Sequence, residues 1–539
     1  MQFWDKKIKG FTTIELLIAL GIISVISAVV LVAIDPARRF SEARNATRWQ
    51  EIKGVLEAIV TYTTDHICNA PTRLDSNLRM LGVASVGCGV ACGAGGGGSG
   101  SLGDSTGAQF GLGTFSNTQW DAGNNWLELT ALGQIFGSGN FTSRIFDATS
   151  TVSWSTISWT PQRPLYKELP SNAQSESAYP TGNANMTGNR LLMHFNESSG
   201  SIADSSGNGY NGTQFGGLTY GAAGKLNTAF SFDGINDAVG LPNNSVFTSV
   251  GDFTAEAWIR PQNLGAITWR SIAAMGIQGD EWLFALYNNR ISFWANALTP
   301  NFQTSLTNLS NNVWYHIAFV RSGANYAFYL NGAPDGSGAW SASVINIVNQ
   351  NRAIGRDRPN SGGEIYQGRI DEIAIYNRAL SATEIADHYK RGALRLRFHV
   401  RSCDDAACSG ETLIGPDGTS ATYYSDLNNA SISLPSFALT NVADNRYFQY
   451  RAYFKTDSAS LSPELKNISF GMSGSGESTA SSCLDLSPAL VDQYIAEIPH
   501  DPLVGSGQRT YYAVKKTSAG RVNVISCSPE LGEVIDVQR

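Results

Sequence analysis

The sequence GRIDEIAIYNRALSATEIADHY, residues 368–389, joins a strand pattern to the start of a helix. Ser381 and Glu384 have the spacing of a capping box, in which each side chain accepts a backbone N–H of the first helical turn. Leu380 and Ile385 flank the box as a hydrophobic staple. The stretch therefore predicts a strand that leads into a short, well-defined helix.

Outward from this stretch, residues 189–392 contain many short alternating runs separated by Gly and Asn turns. Leu330-Asn331-Gly332 has the sequence of a tight hairpin, and the whole pattern is typical of a β-sandwich. The segment resembles laminin-G-like, concanavalin-type jelly-roll domains. The resemblance rests on LLMHFNESSGSIADSSGNGYNG, AFSFDGINDAVGLP, FTAEAWIRP, NNVWYHIAFVRSG, FYLNG and the stretch quoted above.

The loop DSSGNGYN, residues 204–211, is rich in oxygen donors, and its glycines allow carbonyl groups to turn inward. Such a loop suits calcium, which takes about six to eight oxygen ligands. The resemblance implies a Ca²⁺ site in this domain. The candidate ligands are Asp204, Asn208, Asn211 and Asp371. Two alternatives stay open, because Asp233 and Asp237 form a rival cluster and all these residues are also suited to Asx turns.

The N-terminus has a basic segment, MQFWDKKIKG, followed by an apolar run without charges over residues 16–34. At about 1.5 Å per residue, a helix over this run spans one hydrocarbon thickness of about 28 Å, and the lysines mark the cytoplasmic side. A plain signal anchor is one interpretation. Against it, the basic segment ends in Gly10-Phe11 before the apolar run, and Glu15 lies at its edge, where a carboxylate suggests a function.

The stretch KGFTTIELL resembles the cleavage region of type IV prepilins and type II secretion pseudopilins, with Thr13 where that family more often has Leu. The resemblance implies that prepilin peptidase cuts between Gly10 and Phe11 and that Phe11 is N-methylated. It also implies that Glu15 pairs with the new amino group of a neighbouring subunit, because a buried carboxylate needs a charge partner. The expected partners are prepilin peptidase, other pilin subunits and the inner membrane, and the expected final location is a bacterial periplasmic or cell-surface filament.

After Pro36 the sequence predicts an amphipathic helix that packs on a globular head. Its apolar stripe consists of Phe40, Ala43, Ala46, Trp49, Ile52, Leu56, Ile59 and Tyr62. Residues 480–539 resemble the end of a pilin head. The Gly/Ser linkers GAGGGGSGSLG and SGSGEST bound the long intervening segment. Such linkers indicate an insertion into a surface loop, since loop-closure entropy grows only slowly with length.

The insertion contains a second β-layered unit that the jelly roll divides. The predicted organisation is a leader at 1–10, the pilin helix and first part of the head at 11–92, a split β-sandwich at 106–175 and 394–472, the jelly roll at 189–392, and the rest of the head at 480–539. The predicted fold class is therefore multidomain α+β, with a long N-terminal pilin helix and a small α/β head that carries all-β insertions.

The seven cysteines have no paired CxxC spacing, so a thiolate zinc site is not expected. An exported chain would use most of them in disulfides. Cys403 and Cys408 bracket a short polar turn and predict a local disulfide. The pairing of the others stays open, with Cys88–Cys92 and Cys483–Cys527 as candidates. These others are Cys68, Cys88, Cys92, Cys483 and Cys527.

Composition and motifs predict a binding protein. The net charge is −7 without a basic block, so nucleic acid is not an expected partner. Jelly-roll glycosidases need two carboxylates at a fixed separation, and Glu364 with Asp371-Glu372 is the closest acidic grouping but has the wrong spacing, so no enzyme activity is expected. Trp282, Trp294 and Trp340 are candidates either for sugar stacking or for the core.

The sequence therefore predicts a minor pilin or pseudopilin that displays a lectin-like module for adhesion or glycan binding. Two alternatives stay open: a membrane-tethered enzyme that acts on glycans, and a purely structural subunit that caps a filament.

Overall fold

The structure is a computed structural model that describes residues 36–539 except for short segments. These segments are 67–69, 72–73, 75–77, 85–89, 92–99, 245–246, 248, 266–267, 277–281, 297, 341–344, 347–351, 359–362, 475–476, 479–482, 517–520 and 528–534. Predictions that fall outside the described residues concern Gly10, Phe11, Glu15, Cys68, Cys88 and Cys92.

The elements follow one another in three groups. The first contains α1 (Pro36–Asp65), β1 (Arg79–Met80), β2 (Val90–Ala91), β3 (Gly100–Asp104), α2 (Gly107–Phe110), β4 (Thr114–Ser116), β5 (Thr118–Asp121), β6 (Trp126–Leu129), α3 (Ala131–Phe136), β7 (Ser138–Thr142) and β8 (Phe146–Pro161). The second contains β9 (Asn189–Met193), β10 (Thr213–Phe215), β11 (Thr219–Ala223), β12 (Thr228–Asp233), β13 (Ala238–Gly240), β14 (Ser249–Val250), β15 (Phe253–Pro261), β16 (Trp269–Met275), β17 (Trp282–Tyr287), β18 (Arg290–Ala295), β19 (Phe302–Thr304), β20 (Tyr315–Ser322), β21 (Asn325–Leu330), β22 (Ala333–Ala339), β23 (Ile345–Asn346), β24 (Arg352–Ile354), β25 (Gln367–Tyr376) and α4 (Ala382–Ala393). The third contains β26 (Leu394–Cys403), β27 (Tyr424–Ser425), a 3₁₀ turn (Asp426–Asn428), β28 (Ser436–Ala438), β29 (Asn445–Thr456), β30 (Leu465–Gly474), β31 (Glu477–Ser478), α5 (Ser487–Leu490), β32 (Tyr512–Lys516), β33 (Val522–Ser526) and β34 (Asp536–Gln538).

The helix α1 packs on a four-stranded sheet of order β1-β32-β33-β34. Ile52, Leu56 and Ile59 of the predicted stripe are buried there. The prediction that the N-terminal half of the stripe packs on the head is wrong, because Phe40 is 65% exposed and Trp49 is 41% exposed. In that half the helix buries polar side chains instead, and Arg48 forms a fully buried ion pair at 2.7 Å with Asp501.

An eleven-stranded sheet, here called the split sandwich, combines strands from before and after the central segment. Its long strands are β8, β26, β29 and β30, and β8 pairs antiparallel with both β29 and β30. In β26, Leu396, Phe398 and Val400 are buried, as alternation in LRLRFHVRSC predicts. Cys403 and Cys408 at the end of this strand form a disulfide, so that prediction is confirmed.

The central sandwich, residues 189–393, has two antiparallel sheets packed face to face. One has the order β10-β13-β24-β16-β17-β18-β19, and the other has the order β11-β12-β25-β15-β20-β21-β22 with β9 also paired to β25. Alternate residues of both sheets form one apolar core, in which Phe293 stacks on Phe319 with ring centroids 4.0 Å apart.

The helix α4 covers the outer face of the eight-stranded sheet and runs directly into β26 of the split sandwich. Its predicted capping box is confirmed: Ser381 Oγ accepts the Glu384 N–H at 3.2 Å, and the Glu384 carboxylate accepts the Ser381 N–H at 2.9 Å. Behind the helix, Glu256 of β15 lies fully inside the structure between His388 of α4 and His316 of β20.

The predicted fold class, α+β with a long N-terminal pilin helix, is wrong. In the part of the chain that the structure describes, helical structure begins at Pro36, and the regular structure is mostly strands of the two sandwich units. The physical reason is that most of the regular structure consists of short strands, which are stabilised by pairing with distant segments. Helical periodicity is easier to see in a sequence than such pairing. None of the helices within these described residues has the length and apolar character that a membrane crossing requires.

Candidate functional site

The seven-stranded sheet of the central sandwich presents aromatic side chains on the face that points away from the core. Strand alternation places Phe284 and Phe293 in the core. The opposite parity places Trp269, Tyr287 and Trp294 on the outer face, where the register pairs Trp269 with Tyr287. Outer-face aromatic side chains of neighbouring strands therefore lie close enough to pack on one another.

The outer aromatic residues are here called the aromatic patch and consist of Trp269, Tyr287, Trp294 and Phe302. Three of them, Trp269, Tyr287 and Phe302, are in ring contact, and Trp294 packs on the neighbouring small residues of the same face. The ring centroids of Trp269 and Tyr287 are 4.6 Å apart, and Phe302 lies 5.8 Å from Trp269 and 6.0 Å from Tyr287. Phe302 is 43% exposed, whereas Trp269, Tyr287 and Trp294 are partly buried. The patch therefore offers ring surface to solvent on an ordered sheet.

Small residues fill the same face between the aromatic side chains. Ser271, Ala285 and Ser292 lie opposite one another on β16, β17 and β18 and are all fully buried. Farther along, Trp294 packs over Leu283 and Ala285. Since the side chains between them are small, the aromatic rings are the groups that project from this face of the sheet.

The three tryptophans that the sequence offered for sugar stacking divide between core and surface. Trp282 and Trp340 belong to the core, with 1% and 5% exposure, whereas Trp294 lies on the outer face. The hairpin register pairs Leu283 with Trp294, which explains why Trp282 and Trp294 face opposite ways. A two-residue turn at Asn288-Asn289 fixes which residues of the two strands pair. The sequence therefore already indicated that Trp282 and Trp294 lie on opposite faces.

The predicted calcium loop is held by hydrogen bonds to its own backbone. Asp204 accepts the N–H groups of Leu192 at 3.2 Å, Ser206 at 2.9 Å and Tyr210 at 2.9 Å. The side-chain oxygen of Asn211 accepts the Asp204 N–H at 2.9 Å. The Asn208 amide donates to the carbonyl groups of β9 at 3.2 Å.

The other predicted carboxylates also serve backbone groups. Asp371 is fully buried, and its Oδ2 accepts the Lys225 and Leu226 N–H groups at 2.7 and 3.0 Å. Asp233 and Asp237 close a turn, since Asp237 accepts the Asp233 N–H at 2.9 Å. Each of these side chains thus accepts at least one backbone N–H, as in Asx turns, and the calcium site stays a prediction.

A second polar cluster joins Glu168, His194 and Glu372, of which the sequence singled out only Glu372. His194 Nδ1 lies 2.5 Å from Glu372 Oε1. Burial by itself would lower the pKa of His194, but the charge of Glu372 and its hydrogen bond raise that pKa to about 9. Burial, and then the charge of Glu372, raise the pKa of Glu168. Because Glu168 and His194 belong to segments with no shared motif, the fold alone brings them together.

Residues 233–386 match the family model described as the Concanavalin A-like lectin/glucanases superfamily. Residues 233–386 form a concanavalin A-like jelly roll. The match lies within the central sandwich, which is called the jelly roll below. No prepilin or pseudopilin family model matches the chain, and no curated protein is significantly similar to it.

Two of the similar solved structures illustrate the extent of the likeness. Domain 4 of AbnA, an extracellular arabinanase from Geobacillus stearothermophilus in complex with arabinotriose, is 20% identical, and the match covers 37% of this chain and 98% of that one at a TM-score of 0.32. The ligand-binding domain of botulinum neurotoxin serotype D, in complex with N-acetylneuraminic acid, is 14% identical, with 40% and 57% covered at a TM-score of 0.31. This chain therefore spans little more than half of the neurotoxin domain, and TM-scores of this size support no functional statement.

Proposed function

We propose that the jelly roll is a glycan-binding module and that the aromatic patch is its contact surface. The observation that carries the proposal is the cluster of Trp269, Tyr287 and Phe302 on the outer face of a sheet in a lectin-type fold. The C–H faces of a sugar ring are apolar, so partly exposed rings on a rigid sheet provide a stacking surface. An apolar cluster of this kind on a polar surface marks an interaction site.

Polar side chains at the edge of the patch supply hydrogen bonds for the sugar hydroxyl groups. Arg290 lies beside Tyr287 across the hairpin, and its Nε donates to Asn308 at 3.1 Å. Arg290 and Asn308 are both accessible to solvent. This combination of rings and neighbouring polar groups is the usual composition of a small-molecule site.

We expect replacement of Trp269 or Tyr287 by alanine to weaken glycan binding at least about tenfold, or ~1.4 kcal/mol, because each ring supplies contact area and positions the other. A glycan array with the full chain identifies a ligand, and calorimetry then measures its affinity for each variant. Phe136→Ala is the matched control, since Phe136 is a 68% exposed ring on α3 of the split sandwich. Equal affinity of the native chain and both patch variants would refute the assignment of the patch.

A thermal melting experiment tests the calcium prediction separately. If the loop at 204–211 binds Ca²⁺, chelator lowers the melting temperature of the native chain, and Asp204→Asn removes the difference between chelated and calcium-loaded samples. An unchanged melting temperature with and without Ca²⁺ contradicts the calcium site but leaves the aromatic patch untouched.

A second candidate function is glycan hydrolysis, and the position of Glu364 favours it. The Glu364 carbonyl accepts the Ser271 N–H at 3.0 Å, so Glu364 lies beside the strand that carries Trp269. Burial and then the neighbouring Asp357 raise the pKa of Glu364, as suits a general acid. Release of reducing sugar from a bound glycan, abolished in Glu364→Gln with binding retained, would establish hydrolysis; binding without release supports the binding module.

A further inference from the structure

A cavity of about 290 Å³ lies where the segment after β8 passes between the jelly roll and the split sandwich. Its walls come from three parts of the chain: residues 167–176, the jelly-roll residues His194 and Asn227, and residues 427–432 of the split sandwich. Glu168 and His194 both line the cavity. A carboxylate and an imidazole therefore border a cavity that is large enough to hold water molecules or a small ligand.

Glu372 lies next to these two wall residues, and the three side chains together present ligand atoms that suit a metal ion. One carboxylate oxygen each from Glu168 and Glu372 and one ring nitrogen of His194 lie within 4.8 Å of one another. The side chain of His194 is 11% exposed and that of Glu372 is 3% exposed. Two ligands about 2.1 Å from one tetrahedral ion lie about 3.4 Å apart. His194 and Glu372, which are hydrogen-bonded at 2.5 Å, therefore have to separate by about 1 Å to bind the same ion.

Each of the three side chains is held by a further partner. Glu168 Oε1 accepts the side-chain amides of Asn196 at 2.7 Å and Asn227 at 2.5 Å. His194 Nε2 lies 3.3 Å from Ser171 Oγ. Such outer partners orient ligands, and a metal-binding histidine almost always uses its second ring nitrogen in this way.

The remaining carboxylate is held from the backbone. Glu372 Oε2 accepts the Leu169 N–H at 3.1 Å, which leaves Oε1 directed to His194. Beside it, the fully buried Asp371 has an Oδ1 without a hydrogen-bond partner in the described part of the chain. One fully buried carboxylate oxygen next to Glu372 in the chain is therefore left without a donor in the described residues, which costs free energy.

The backbone at the cluster is also unusual. Glu372 has φ +51° at a β-bulge between β15 and β25, Phe195 has φ +60°, and Asn227 has φ +42°. A bulky residue with positive φ costs free energy, and such residues concentrate at functional sites. The bulge changes the alternation of β25, so the side chains of Asp371 and Glu372 do not follow the regular pattern of the strand.

We propose that Glu168, His194 and Glu372 bind one divalent transition-metal ion, for which zinc is the best match. Carboxylate oxygen with imidazole nitrogen is a typical zinc ligand set, whereas calcium prefers oxygen alone. Three protein ligands leave a coordination position open towards the cavity, where water or a ligand oxygen completes the shell. Since Glu168 precedes the jelly roll in the chain and the other two ligands lie within it, the ion cross-links the segment at 162–188 to the domain.

Calorimetry with ZnCl₂ on the chelator-treated full chain tests the proposal. We expect one ion per chain and more than about 100-fold weaker binding in Glu168→Gln and in His194→Gln. Asn196→Ala should lose less, about 10- to 100-fold, because outer partners typically contribute that much. Glu168 is partly exposed, so Glu168→Gln retains the fold and stays informative if His194→Gln does not fold. Circular dichroism checks the fold of each variant.

His66→Asn is the control, because His66 is an exposed histidine just after α1 and remote in sequence from the cluster. It should bind zinc like the native chain. Cobalt absorption gives an independent readout, since cobalt bound to nitrogen and oxygen lacks the intense thiolate band. Absence of stoichiometric zinc, native affinity in Glu168→Gln, or a thiolate band that persists in that variant would each overturn the proposal. None of these outcomes depends on glycan binding.

Discussion

Glu256→Gln should destabilise the jelly roll by about 3 kcal/mol, because it takes a charged hydrogen-bond acceptor away from two buried imidazoles. Glu256 is 1% exposed, and its carboxylate lies 2.8 Å from His388 Nδ1 and 3.4 Å from His316 Nε2. The substitution removes the negative charge that both imidazoles face inside the protein. Urea denaturation measures this effect, and we expect the jelly roll of the variant to unfold at a lower urea midpoint.

The same carboxylate gives the jelly roll a defined acid sensitivity. Burial by itself would raise the pKa of Glu256, but His388 and His316 lower it well below its ordinary value of 4.5. A carboxylate with a depressed pKa in the folded state contributes stability that is complete above the unfolded pKa. That contribution is lost as the pH falls from about 4.5 towards the folded pKa. Glu256→Gln should therefore lose stability less steeply than the native chain over this range.

A double-mutant cycle separates the contact between Glu256 and His388 from general damage to the fold. Glu256→Gln and His388→Gln should be less than additive, because each single change already removes the contact between the two side chains. Glu57→Gln is the control, since Glu57 forms an exposed pair with Lys53 on α1, and we expect it to change stability by less than about 1 kcal/mol. Full additivity, together with an unchanged acid profile in Glu256→Gln, would contradict the role assigned to Glu256.

Arg391→Met should have an effect of similar size, about 3–5 kcal/mol, at the junction of the two sandwiches. Arg391 makes a bidentate buried pair with Glu176, with nitrogen–oxygen distances of 2.7 and 3.2 Å, and the pair is nearly inaccessible to solvent. Its guanidinium also donates to the carbonyl groups of Lys167 and Glu168. Loss of these donors leaves the buried Glu176 carboxylate without its ion-pair partner, although it keeps the Ala184 N–H, and it removes a donor from two carbonyl groups. The segment at 162–188 should therefore detach from α4.

Limited proteolysis within residues 162–188, alongside the urea midpoint, measures this detachment. Replacing both partners, as in Arg391→Met with Glu176→Leu, should recover much of the stability because no unpaired charge remains. Arg446→Met is the matched control: Arg446 forms a two-bond pair with Asp147 that is more than 40% exposed, so its loss should leave the urea midpoint nearly unchanged. A double variant no more stable than Arg391→Met would show that the ion pair is not what secures the segment.

Local sequence signals predicted local structure well. The capping box at Ser381 and Glu384 and the disulfide between Cys403 and Cys408 depend on residues only a few positions apart, and both are present. The alternation of β26 also places its apolar residues inside. Predictions that depended on tertiary contacts were less successful. The helix α1 forms, but Phe40 and Trp49 are exposed, because helical periodicity does not show which part of an apolar face packs on another element.

The sites show the same division. The outer position of Trp294 follows from the parity of its hairpin, so the sequence could have separated it from Trp282. The contacts of Trp269 with Phe302 and the cluster of Glu168, His194 and Glu372 carry no such signal, because their members lie on segments that only folding brings together. His194 and Glu372, for example, are 178 positions apart.

By itself, the sequence indicated the concanavalin A-like jelly roll that residues 233–386 form, together with its capped closing helix, because strand alternation, turn residues and caps act over a few residues. Only the tertiary structure decided the fold class of the described chain, the face on which the aromatic rings gather, and the residues that surround the buried charges. These properties depend on strand register and on contacts between distant segments, and their free energy comes from burial that no short stretch of sequence specifies.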